Sequence, residues 1–135
     1  MKIHTFRLKP GADLKLEIEQ YASKYNIQAG FIITCVAGLE SATLRMAGAS
    51  PDEQDIRTYS GDYEVTSLVG TVSRDGVHLH VSISDKEGQG FGGHLKEGTI
   101  VHPTAEVVIG EDESAIYVRT LDQETGFPEL EIKNK

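Results

Sequence analysis

Helical periodicity occurs once in this chain and then stops. Leu14, Ile18, Tyr21, Ala22 and Tyr25 recur at offsets of 0, 4, 7, 8 and 11, which places them on one face of a helix. The spacing predicts a helix over about 13–25. Asp13 suits the positive end of its dipole, and Asn26 and Gly30 follow as stop signals. No later segment repeats the pattern. The rest reads as strands: Ile3–Leu8 ahead of the helix, then Phe31–Ala37, Ala42–Ala47, Ile56–Tyr59, Tyr63–Ser73, Val77–Ser84, Thr104–Ile109 and Ala115–Leu121. Gly38 is expected to turn the chain between the second and third of these, and Asp75-Gly76 signals a hairpin. Gly48–Glu53 and the acidic Gly110–Ser114 read as solvated connections. A doubly wound fold needs alternating helices. One helix among many strands instead implies an α+β fold on a mainly antiparallel sheet.

At 135 residues the chain is one domain's worth, so residues 1–135 are expected to form a single domain. Residues 122–135 are polar apart from Phe127, Leu130 and Ile132, and read as a C-terminal arm or tail. Hydrophobic residues make up 39%, enough for a core without disulfide staples. Cys35, the only cysteine, lies in the apolar run Phe31–Ala37 and reads as a buried thiol. Thirteen basic against 21 acidic side chains give a net charge of −8. That balance opposes tight binding to phosphate backbones, for which no basic cluster exists. No apolar run approaches the roughly 18 residues of a membrane span, and the N-terminus has no secretory h-region. A cytoplasmic protein without membrane partners is expected.

The chemistry concentrates in Val77-His-Leu-His-Val-Ser-Ile-Ser84. Side chains alternate along a strand, so Val77, Leu79, Val81 and Ile83 share an apolar face while His78 and His80 project from the other. Their Cα atoms are then about 7 Å apart, within reach of one ion. Taken alone, the pair reads equally as two solvated histidines on a wet face. His94 follows the glycine-rich Gly88-Gln-Gly-Phe-Gly-Gly93, read as a turn that doubles the chain back onto that face. Three imidazoles with no fourth protein ligand leave a coordination position open, and zinc is the default metal for such donors. Asp85, Glu97 and Glu106 are candidates to orient the rings. His102 reads as structural, and His4 has no visible partner. Gly88-x-Gly90-x-x-Gly93 spells the dinucleotide fingerprint, but no helical pattern follows it, so no nucleotide site is assigned.

The chain resembles the PPC (plant and prokaryote conserved) domain family in its free-standing prokaryotic form. The likeness is carried by Lys2-Ile-His-Thr-Phe-Arg-Leu-Lys-Pro-Gly11, His78-Leu-His80, Gly92-Gly-His-Leu95, Thr104-Ala-Glu-Val-Val108 and, in the tail, Glu124–Leu130. The resemblance implies a seven- or eight-stranded α+β homotrimer, from a family described as DNA-binding because plant versions carry AT-hooks. This chain has no Arg-Gly-Arg-Pro hook, and reads Gly61-Asp-Tyr-Glu64 where the plant proteins have a Gly-Arg-Phe-Glu motif. The fold is also similar to acetolactate decarboxylase, where three histidines hold a zinc that polarises substrate oxygens. That likeness implies zinc at His78, His80 and His94. Two functions follow as expectations. One is a homotrimeric regulatory module that binds DNA weakly or indirectly. The other is a zinc-dependent lyase or binding protein for a small oxo- or hydroxy-acid, with no catalytic residue assigned.

Overall fold

The computed structural model describes all of residues 1–135. Eight strands and one helix follow in the order β1 (Lys2–Leu8), α1 (Leu14–Lys24), β2 (Gly30–Arg45), β3 (Ile56–Ser73), β4 (Gly76–Ser84), β5 (Gly90–Leu95), β6 (Ile100–Glu111), β7 (Ala115–Leu121) and β8 (Pro128–Asn134). The expected α+β architecture is present. Its eight strands are divided between a six-stranded antiparallel sheet, ordered β1-β6-β2-β3-β4-β5, and a β7-β8 hairpin. The far end of β2 also pairs with β5, Leu44 opposite Leu95 and Arg45 opposite His94, so β2, β3, β4 and β5 close on themselves.

The helix forms where the periodicity places it. Asp13 caps it, its Oδ1 accepting the Leu16 N–H at 3.1 Å and its Oδ2 the Gly98 N–H at 2.8 Å. Leu14, Ile18 and Ala22 are fully buried against the sheet, in one core with Leu39, Val72, Leu79, Ile83, Val101 and Ile109. Tyr21 stacks on Phe6 of β1 at 4.0 Å, which fixes the first strand to the helix.

Three connections differ from the sequence reading. Gly38 makes no turn, and Phe31–Ala37 and Ala42–Arg45 belong to the single 16-residue strand β2, which ends before Met46 and Ala47. A Cβ at Gly38 would collide with the His102 carbonyl of β6, so close strand approach explains that glycine. Ile56–Tyr59 and Tyr63–Ser73 likewise merge into the 18-residue β3, which bends at an irregular register opposite Leu39 and Ser41. Nor is Gly88–Gly93 a turn throughout. The chain reverses at Asp85–Gln89, where the Asp85 carboxylate accepts the Glu87 and Gln89 N–H groups, and Gly90, Gly92 and Gly93 already lie in β5. The segment 122–135, an arm or tail on sequence, supplies β8, which pairs with β7 along its whole length.

Candidate metal centre

The alternation in β4 is as expected: Leu79, Val81 and Ile83 are buried, while His78 and His80 face away from the core. β5 brings His94 directly opposite His80 in the ladder. The three rings form a compact triangle with centroid separations of 5.0, 5.0 and 5.6 Å. Two glycines permit this spacing. Gly70 of β3, at φ +140°, and Gly92 of β5 each lie where a Cβ would strike a β4 carbonyl, of His78 and Val81 respectively. Side chains there would push the neighbouring strands off the histidine-bearing one.

The donor set fits a zinc-like ion. The Nε2 atoms of His78 and His80 are 3.3 Å apart. Two nitrogens on a tetrahedral zinc, each at about 2.0–2.1 Å, stand roughly 3.3–3.4 Å from each other. One donor nitrogen from each of the three histidines lies within 4.8 Å of the others, a gap within the reach of ring rotation. Two of the rings, His78 and His94, are held toward the neutral form. Burial, followed by the Arg45 guanidinium and the other two imidazoles, pushes His94 down to about 3. Burial and then His80 hold His78 below its ordinary value. Neutral imidazoles offer lone pairs to a metal without first releasing a proton.

The remaining candidates lie elsewhere. Asp85 closes the β4–β5 turn. Glu97 is exposed between β5 and β6, and Glu106 is exposed on β6 opposite Arg7 of β1. None of the three hydrogen-bonds an imidazole. His102 is exposed on β6. Cys35 is the buried thiol expected, its pKa raised to about 11 by burial. His4 has a partner that the sequence did not reveal: Glu111, at 2.9 Å in the interior. The side chains that do border the triad are Arg45, Arg119, Phe127 and Glu129, which line a cleft of about 420 Å³ with His78 and His94. Arg45 Nη2 donates to His94 Nδ1 at 3.3 Å, and its guanidinium lies over the Phe127 ring at 5.2 Å. No local motif marks Arg45 or Arg119, and Phe127 and Glu129 lie in the tail segment Glu124–Leu130 without having been read as site residues. Arg45 reaches the site through the β2–β5 pairing, and Arg119 through the β7–β8 hairpin.

The sequence pattern of the Plants and Prokaryotes Conserved (PCC) domain matches residues 1–113, from β1 through β6. The chain belongs to that family. Among its relatives is the bifunctional protein GlmU of a Synechococcus strain, 40% identical over 133 residues. The alignment takes in 98% of this chain but 20% of that protein, so the chain spans about one-fifth of the relative's length. A hypothetical protein from Salmonella cholerae-suis superposes with a TM-score of 0.92 at 31% identity, covering 99% of this chain and 94% of the other. A metal-containing protein from Archaeoglobus fulgidus superposes with a TM-score of 0.79 at 27% identity, covering 96% and 93%. Two more distant structures share the fold alone. One is a Bacteroides thetaiotaomicron protein proposed to bind DNA (20% identity, TM-score 0.85, covering 96% and 91%). The other is a Staphylococcus aureus protein similar to alpha-acetolactate decarboxylase (18%, TM-score 0.54, covering 84% and 54%). The PCC-domain match ends before β7, so Arg119, Phe127 and Glu129 lie beyond it. No helix of this PCC-domain protein is long and apolar enough to cross a membrane.

Proposed function

We propose that this PCC-domain chain is a zinc-binding module in which His78, His80 and His94 hold the metal and a small acid occupies its open coordination position. One observation carries the reading: three imidazoles converge on one point beside a cleft lined by two arginines. A metal-containing relative with the same fold supports it. Zinc with an open position polarises an oxygen of a bound acid as a Lewis acid. The chain's own Arg45, Arg119 and Phe127 line the cleft and would orient that acid. The cleft gives the small oxo- or hydroxy-acid reading a place to act. No proton-transfer role is assigned to a residue of this chain, and a ligand-binding, regulatory role is the reading adopted.

The module is proposed to work as a homotrimer. Its support is exposed apolar side chains on the middle strands of the sheet, where Ile33 and Val36 of β2 and Val69 of β3 are 46%, 60% and 54% exposed. Direct DNA affinity is expected to be weak, because the net charge of −8 repels phosphate. A gel shift at low salt is expected to show no sequence-dependent complex.

The decisive test is metal content per chain, by elemental analysis of tag-free protein reconstituted with zinc and then desalted. Near-stoichiometric zinc is expected in the wild type, with at least a tenfold weaker hold in His94→Ala. Equal retention by wild type and variant would sink the assignment.

A further inference from the structure

The chain carries 21 acidic residues, yet two of its arginines lack a carboxylate partner at one place. No carboxylate oxygen lies within 4.0 Å of the Arg45 or Arg119 guanidinium. Both are half-buried and line the cleft beside His78 and His94. Arg119 Nη2 donates to the Thr71 hydroxyl at 2.6 Å. The cleft's two carboxylates are turned to other donors. Asp75 accepts the Arg119 backbone N–H at 2.6 Å, and Glu129 accepts the Thr125 hydroxyl at 3.0 Å. Burial accordingly holds Arg119 below its ordinary value, against the weaker opposing pull of Glu129 and Asp75.

The hydrogen bond from Arg45 to His94 makes this arrangement conditional. A guanidinium only donates, so Nδ1 of His94 must accept with its lone pair. A neutral imidazole has one such lone pair. If a metal takes it, Arg45 loses its acceptor directly. If the metal binds the other nitrogen, the ring proton moves to Nδ1, which then donates and cannot accept. Under either tautomer, metal ligation by His94 and the Arg45 hydrogen bond exclude each other. Ligation therefore frees Arg45, in a cleft that has just gained two positive charges next to two guanidiniums.

We infer that this cleft binds a small dicarboxylate between Arg45 and Arg119, and that the metal and the dicarboxylate bind cooperatively. The inference rests on the three-histidine metal reading. Two negative charges offset what the metal adds, and each planar guanidinium matches one carboxylate in a two-point contact. About 420 Å³ suits a molecule of that size. The two arginines come from different elements, β2 and β7, which favours an acid with two separated carboxylates over one. Without the anion, the metal enters against the field of both guanidiniums and at the cost of the Arg45 bond. With it, each arginine has a partner. Linkage requires the effect to be mutual: the anion tightens the metal by the factor by which the metal tightens the anion.

The test is calorimetric titration of zinc into metal-free protein, alone and with succinate, acetate or inorganic phosphate at matched ionic strength. Succinate is expected to tighten zinc on the order of tenfold, with acetate giving far less. The reverse titration, succinate into zinc-loaded protein, is expected to show the same factor against metal-free protein. Arg45→Gln and Arg119→Gln, checked for native unfolding temperature, are expected to keep zinc binding and lose the enhancement. Arg45→Gln should bind zinc alone more tightly than the wild type, since no Arg45 bond is lost. Zinc uptake unaffected by succinate, or an enhancement that survives in both variants, overturns this inference alone. Phosphate outdoing succinate overturns the dicarboxylate assignment. No zinc uptake by the wild type overturns the metal reading itself.

Discussion

Glu111 is one of the few buried charged side chains, and both of its carboxylate oxygens are engaged. His4 Nε2 donates to one at 2.9 Å and the Gln28 backbone N–H to the other at 3.2 Å. Burial alone would raise its pKa, but the His4 and Gln28 hydrogen bonds outweigh it and hold the carboxyl below its ordinary 4.5. A depressed carboxylate stabilises the fold above its unfolded value, and that contribution is lost as the pH falls through the lower folded one. Acid unfolding followed by circular dichroism should therefore show stability declining below about pH 4.5. Glu111→Gln should cost about 1–3 kcal/mol at neutral pH and flatten that decline. An acid limb identical in the two proteins would contradict the role given to this carboxylate. At this scale the sequence was informative about His78 and His80, because alternation along a strand is local. It said nothing of the partnership between His4 and Glu111, or of Arg45 and Arg119, because those depend on pairings far apart in the chain.

Among the elements, α1 was legible to within a residue at each end, since one apolar stripe and one capping aspartate define it. It is also where burial is most complete. Ile18→Ala should lower the free energy of unfolding by about 2–5 kcal/mol, measured by urea denaturation, as the loss of its outer side-chain carbons opens a gap under the sheet. A cost below about 1 kcal/mol would mean that the helix packs more loosely than described. The strands were less legible, and the glycines show why. A glycine that turns a chain and a glycine that admits a neighbouring backbone look the same in a sequence. Gly38 and Gly92 are of the second kind, against the carbonyls of His102 and Val81. Reading them as turns cut β2 in two and left β5 out of the strands altogether. The site survived the error because a chain that doubles back after Ser84 carries His94 to the face of His78 and His80 whether or not its return is read as a strand.

For the whole molecule, residues 1–135 are proposed to fold as one unit, with a single calorimetric transition. The family and the α+β class were both legible, from motifs spread between Lys2 and Val108. The cleft was not, since its far wall is built by β7 and β8, and which of their side chains face the histidines is set by how that hairpin packs on the sheet, not by the motif at Glu124–Leu130. Val36→Lys places a charge in the exposed apolar patch of β2 and should shift the protein from trimer to monomer by light scattering, with little loss of stability. A wild type that is monomeric at all concentrations would refute the assembly. The central claim concerns the metal, and zinc K-edge X-ray absorption of the reconstituted protein tests it most directly. The account predicts three imidazole nitrogens at about 2.0 Å and one further oxygen donor, with the imidazole scattering diminished in His94→Ala. A six-oxygen shell, or a spectrum unchanged by the substitution, would contradict it.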